Sequence, residues 1–183
     1  MRIILASGSP RRQALLKKAG YNFDVICPSV KEVTSKKLPH KIVQDLALKK
    51  AFSVAVLYPD ALVIGGDTLV YCKGKILGKP KNEADALKLL KLENNSWQAV
   101  YSGLVLICKN KNKLLVGYDK TLCKARNLDL KTLKILASKN LDKAGAYAMQ
   151  DEDDQFIERI KGSYDNVVGF PTELFKKMIK EFL

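Results

Sequence analysis

An α/β or α+β domain built on a mixed sheet is the fold class that this 183-residue sequence predicts, and three observations carry it. Short apolar runs of strand length, RIILA at 2–6 and ALVIG at 61–65, alternate with segments of helical period. Two long strand-like segments, 97–108 and 114–126, are separated only by the polar turn KNKNK, which makes them an antiparallel pair. A strict βαβ alternation is absent, and no linker or low-complexity tract divides the chain, so one domain, or two lobes sharing one core, is expected. Hydrophobic residues at 47% suffice for a full core at this length.

Taken in order, residues 2–6 read as a short buried strand. Ser9 offers an N-cap, Pro10 falls at the first helical position where its missing N–H costs nothing, and Gly20 closes the helix. Residues 23–27 read as a second strand. From His40 to Val56, 100° per residue places Val43, Leu46, Ala47, Lys50, Ala51 and Val54 in one stripe about 140° wide, with Lys50 in its middle. ALVIG is a strand broken by Gly66-Asp67-Thr68 and resumed by LVYC, and a turn at Lys73-Gly74-Lys75 leads into the return strand ILGKP. Asn82 caps a helix to about Leu92. After the antiparallel pair come a helix from Asp129 to Lys139, the loop AGAYAMQ, a strand QFIERI, and a last helix from Pro171 with Leu174, Met178 and Phe182 on one side.

Composition excludes several classes. No apolar stretch approaches a membrane span, and residues 1–8 lack the apolar core of a secretion signal, so a cytoplasmic location without a membrane partner is expected. Cys27, Cys72, Cys108 and Cys123 form no CxxC pair and read as reduced core residues. The formal charge of +13 invites a nucleic-acid reading, but only five of the 32 basic residues are arginine and the lysines are scattered. Scattered lysine makes no docking surface, so no nucleic-acid partner is expected. Arginine suits bidentate phosphate recognition, and two of the five, Arg11 and Arg12, are adjacent in the opening run LASGSPRRQALL.

That run has the makings of an anion site. A helix N-terminus presents unpaired N–H groups and a partial positive charge, and Ser7-Gly8-Ser9 lets an anion approach it. Arginines in a first helical turn are disfavoured unless an anion sits beside them. Neither a P-loop nor a dinucleotide fingerprint is present. Asp67, in GGDT just after an apolar strand, is placed as α/β enzymes place catalytic or metal-binding acids, although a turn aspartate reads equally well. Lys50 and Lys79 are candidate phosphate contacts; for Lys50 the competing reading is snorkelling at a helix edge. A phosphate cradle, acids suited to Mg²⁺ and spare lysines point to a nucleotide or other polyphosphate substrate.

The ordered motifs LASGSPRRQALL, GGDTLV, ILGKP, DKAGAYAMQ and KGSYDNVVGFP resemble the Maf family of nucleoside triphosphate pyrophosphatases over about residues 4–182. The resemblance implies an elongated single α/β domain similar to inosine-triphosphate pyrophosphatases, with two lobes around a cleft. It implies hydrolysis of a nucleoside triphosphate to the monophosphate and pyrophosphate with a divalent cation, Mg²⁺ or Mn²⁺. Ser7, Arg11, Arg12, Lys50, Thr68, Lys79 and Gln150 then fall at substrate positions, beside Gly8 and Ser9 of the anion site read above. Asp67 matches the proposed general base, and Glu32 with Asp67 would hold the metal through oxygen. Members of the family often pair as homodimers, which leaves a homodimer open here.

Arg11, Thr68 and Gln150 match the subgroup acting on dTTP and UTP rather than the one acting on 7-methyl-GTP. A neutral amide at Gln150 can both donate to and accept from a uracil or thymine edge. Three departures stand out: GGDT for the usual GADT, Ser102 where threonine is common, and DEDD (Asp151 to Asp154) where a glycine is expected after Gln150. The acidic run reads as a solvated turn. Two alternatives remain: a non-catalytic nucleotide- or DNA-binding regulator of septum formation, and a pyrophosphatase for 7-methyl-GTP or other modified nucleotides.

Overall fold

A computed structural model of the chain describes residues 1–148 and 155–183; Gln150 and the run Asp151 to Asp154 lie outside them. Strands β1 (Ile3–Ala6), β2 (Asp24–Val25), β3 (Leu62–Cys72), β4 (Lys75–Leu77), β5 (Trp97–Cys108), β6 (Lys113–Ala125) and β7 (Ile157–Lys161) form one sheet. Its order is β2-β1-β3-β5-β6-β7, with β4 paired to β3. β1 runs parallel to both β2 and β3, whereas β4 and β7 are antiparallel to their partners, so the sheet is mixed as expected. Among the described residues the helices are α1 (Pro10–Lys18), α2 (Pro39–Ala55), α3 (Glu83–Glu93), α4 (Leu130–Ala137), α5 (Tyr164–Val168) and α6 (Thr172–Phe182). The fold class is therefore α/β.

The chain divides into two compact units, one of residues 1–68, 102–119 and 169–183, the other of residues 69–101 and 120–168. In the first, β1 and the start of β3 are apolar on both faces and pack under α2: Ile4, Ala6 and Val63 meet Ala47, Ala51 and Val54. Strands covered on both sides read as continuous apolar runs, which is why RIILA and ALVIG show no alternation. In the second, Val70, Leu77, Val100 and Cys123 pack with Leu90 of α3 and Leu133 and Leu136 of α4. Asn82 and Asp129 cap α3 and α4, each side chain accepting from the backbone N–H three residues on.

Three expectations need correction. Gly66-Asp67-Thr68 does not break the strand: β3 runs unbroken through it. Glycine and aspartate signal a turn when loops need their conformations, but here the glycines serve close approach. A methyl group at Gly65 would collide with the Ala47 carbonyl oxygen, and one at Gly103 on β5 with that of Val43. The two bare positions let α2 lie directly on the sheet. Cys27 is exposed rather than in the core, while the other three cysteines are buried thiols. Ser9 occupies the N-cap of α1, yet its hydroxyl makes no capping bond; its own N–H instead donates to Ser7 Oγ at 3.3 Å. The helix α5 and a tight turn at Ala144–Ala146 carry no periodic signal and went unread. No helix of the described residues is long and apolar enough to cross a membrane.

Candidate active site

Close packing of α2 on the two glycines brings Lys50 onto Asp67. Lys50 is 7% exposed and Asp67 8%, and Nζ donates to Asp67 Oδ1 at 2.7 Å. The snorkelling reading of Lys50 is thereby overturned: its ammonium points into the protein. Glu32, in the irregular segment between β2 and α2, reaches the same ammonium, Oε2 to Nζ 2.9 Å, from an otherwise exposed position. Two carboxylates therefore converge on one buried cation. Burial pushes the Asp67 carboxyl above its usual range; Lys50, by charge and hydrogen bond, and Arg12, by charge, pull it back, while Glu32 adds to the rise.

Arg12 is built in from three sides. Nε donates to the Gly169 carbonyl at 3.0 Å, Nη1 to Ser7 Oγ at 3.1 Å and Nη2 to Thr68 Oγ1 at 3.2 Å. A guanidinium has five N–H donors, so two remain for an anion. Burial lowers its proton affinity, Asp67 opposes that, and the neighbouring charge of Arg11 reinforces it. Arg11 and Arg12 both lie in the first turn of α1, which carries no acid. Gly66 supplies the room: a methyl group on it would stand 3.2 Å from Arg12 Nε. Gly8 likewise lies against Cys27, whose Sγ would be 3.1 Å from an added Cβ.

The first unit thus brings together Ser7, Arg12, Glu32, Lys50, Asp67 and Thr68. Lys79 is exposed on the second unit, just after β4, and Gln150 lies outside the described residues. Two participants are not among the candidate site residues read from the sequence, although Ser102 is noted there as a departure from the family pattern. The buried Ser102 Oγ lies 2.9 Å from Thr68 Oγ1, and the Gly169 carbonyl accepts from both Arg12 and, at 3.4 Å, Thr68. A hydroxyl inside the apolar strand WQAVYSGLVLIC needs a buried partner, a signal that could have found Ser102. A backbone carbonyl 157 residues from Arg12 has none.

A family model described as "Maf-like protein" matches residues 2–182. The chain belongs to the Maf family. A relative from Elusimicrobium minutum (strain Pei191), named dTTP/UTP pyrophosphatase, is 59% identical over 182 residues, covering 100% of this chain and 99% of that protein. A relative of the same name from Bacillus cereus (strain AH820) is 40% identical over 184 residues, covering 99% and 95%. Among solved structures, the Staphylococcus aureus Ham1 protein shares the fold at a TM-score of 0.58 and 14% identity, with both chains fully covered. The Maf resemblance of the five motifs and the α/β fold are both borne out.

Proposed function

We propose that this Maf-family chain is a metal-dependent pyrophosphatase that hydrolyses the α–β anhydride of dTTP and UTP, giving the monophosphate and pyrophosphate. The observation that carries the reading is the buried Asp67 carboxylate, flanked by Lys50 and Arg12 at the start of α1. Full-length relatives named for that activity support it. Arg12, with two donors left over, and the α1 terminus would hold the triphosphate, and Lys79 would add charge to it.

Water is the nucleophile. Its O–H bond breaks as the oxygen joins phosphorus, the bridging P–O bond breaks, the proton passes to Asp67, and pyrophosphate leaves. A carboxyl whose proton affinity is raised by burial is the better base for that transfer. Charge accumulates on the phosphate oxygens, where Arg12 and Lys50 stabilise it.

Glu32 and Asp67 offer hard oxygens suited to a divalent cation; both now meet the Lys50 ammonium, and no group of three or more potential ligands occurs among the described residues. Two carboxylates, with phosphate oxygens and water completing the shell, suit Mg²⁺ or Mn²⁺. Bound there, the ion would neutralise phosphate charge and polarise the anhydride.

For the base, Thr68, Arg11 and Gln150 support the pyrimidine class. The whole chain is read as one functional domain, with a cytoplasmic location and a role in nucleotide-pool cleaning or division arrest, and a homodimer is left open. The test is pyrophosphate release from dTTP, UTP, CTP and 7-methyl-GTP with Mg²⁺ or Mn²⁺, using Asp67→Asn as control. Release from dTTP and UTP that the variant loses is the expected result. Tight nucleotide binding without any release would overturn the enzyme reading in favour of a binding regulator.

A further inference from the structure

The second unit contains a polar cluster that core packing does not account for. Glu93, the last residue of α3, is 0% exposed, and among the described residues neither carboxylate oxygen meets a hydrogen-bond partner. The Gln98 amide and the Tyr147 hydroxyl are buried in the same cluster, where Tyr147 interacts with Gln98 and Cys123. A helix C-terminus already disfavours negative charge, and here burial alone, with no cation among the described residues opposing it, raises the Glu93 carboxyl well above its usual range. The groups facing it are the thiols of Cys72 on β3 and Cys123 on β6 and the Tyr147 phenol, each itself raised by burial. From α4 only Leu133, Leu136 and Ala137 are buried toward this core. Burial therefore favours the neutral form of Glu93.

Its position gives that acid a consequence. Glu93 Oε1 lies directly against Gly145, where an added methyl group would come within 2.8 Å of it and 2.9 Å of the Tyr147 ring. There the chain takes two successive left-handed residues, Gly145 at φ 76° and Ala146 at φ 60°. Such a conformation is unfavourable for alanine and persists only where the surroundings impose it. The Gly145 N–H donates to the Gly78 carbonyl at 3.2 Å, and Gly78 immediately precedes Lys79. This turn is thereby fastened beside Lys79, the described candidate substrate residue of the second unit.

We infer that Glu93 is a positioning residue for substrate: its buried carboxyl, seated against Gly145, holds the left-handed turn whose Gly145 N–H anchors Gly78, the neighbour of Lys79. The inference rests on the proposed role of Lys79. A neutral carboxyl fits against Gly145 without a partner. An ionised one would have to draw in water or a cation or leave the core, and each displaces a backbone that has no spare room. Substrate affinity should then follow the protonation of Glu93, whereas the chemical step at Asp67 should not.

The experiment is dTTP hydrolysis from about pH 6 to 9.5 by the wild type, Glu93→Gln, Glu93→Leu and Lys79→Ala, with KM and kcat separated. Glu93→Leu is expected to raise KM about tenfold with kcat within about twofold, the pattern of lost binding rather than lost chemistry. Wild-type KM should climb with pH, and Glu93→Gln should keep the low KM and flatten that climb. An unchanged KM in Glu93→Leu, or a wild-type climb in Glu93→Gln, overturns the inference. Should Glu93→Leu not fold, the Glu93→Gln profile decides alone. An unaffected KM in Lys79→Ala removes the substrate reading of Lys79 and this inference with it; raised KM there beside an unmoved Glu93→Leu overturns the inference only.

Discussion

The two units treat a buried carboxylate in opposite ways. Asp67 in the first is met by Lys50 at 2.7 Å, with Arg12 adding its charge, whereas Glu93 in the second has no counter-charge among the described residues. Burial raises both acids, but only Asp67 has neighbours that keep its ionised form within reach. A paired buried acid can exchange a proton during turnover; an unpaired one stays neutral and shapes the backbone it touches. On the proposed reading, the difference separates a site for chemistry from one that holds geometry.

The sharpest way to break this contrast is at Asp67. Asparagine keeps the shape and removes the basic oxygen, so Asp67→Asn should lower kcat by about 10² to 10⁴, the usual worth of a positioned general base. Pyrophosphate release measured beside an unchanged far-UV circular dichroism spectrum checks it, and retained turnover removes Asp67 from the reaction. Arg12→Ala comes next. It deletes the two donors left for phosphate and removes one hydrogen bond each from Ser7, Thr68 and the Gly169 carbonyl, so kcat/KM should fall at least about tenfold, or roughly 1.4 kcal/mol. A smaller loss means the start of α1 does not hold the triphosphate.

Much of the first unit was legible because its signals are local. Pro10 at the first helical position, the doubled arginine and the lysine inside an apolar stripe each point to their role within a few residues, and the structure brings Arg12, Lys50 and Asp67 together. The unbroken β3 was misread because Gly65 and Gly66 carry two meanings, a turn or a close approach, and only the distant α2 and Arg12 decide between them. Ser102 and Gly169 act on Arg12 and Thr68 across 34 to 157 positions, and Glu93 looks like any exposed helix-end acid until its burial is known. Its meaning comes from Gly145, 52 residues away by number, and no short-range pattern records that.

Glu93 also sharpens the contrast through stability. Its folded-state proton affinity lies above the unfolded value near pH 4.3, so the folded chain keeps a proton that the unfolded chain has released. Stability must then fall as pH rises above about 4.3, until the folded group itself ionises. Glutamine has no proton to lose. The melting temperature of Glu93→Gln should therefore match the wild type near pH 4 to 5 and exceed it by a growing margin through neutral pH. A constant margin across that range would mean that Glu93 is already paired or ionised in the fold.

The smallest effect is expected at Gly66, the position where GGDT departs from GADT. An alanine Cβ would stand 3.2 Å from Arg12 Nε and 3.5 Å from its Cδ, a tight contact with a long side chain rather than with backbone. Gly66 is not among the positive-φ residues, so alanine brings no backbone strain there. The guanidinium need shift only by tenths of an ångström, and its bond to the Gly169 carbonyl, at 3.0 Å, has some slack. Gly66→Ala should therefore fold normally and alter KM for dTTP by about threefold or less, or ~0.6 kcal/mol. Gly65→Ala is the control one residue away: its methyl group meets the backbone of α2, which cannot move without carrying Lys50 off Asp67. If both variants behave alike, the seating of α2 on the sheet does not set the Lys50–Asp67 pair; a large loss confined to Gly65→Ala shows that it does.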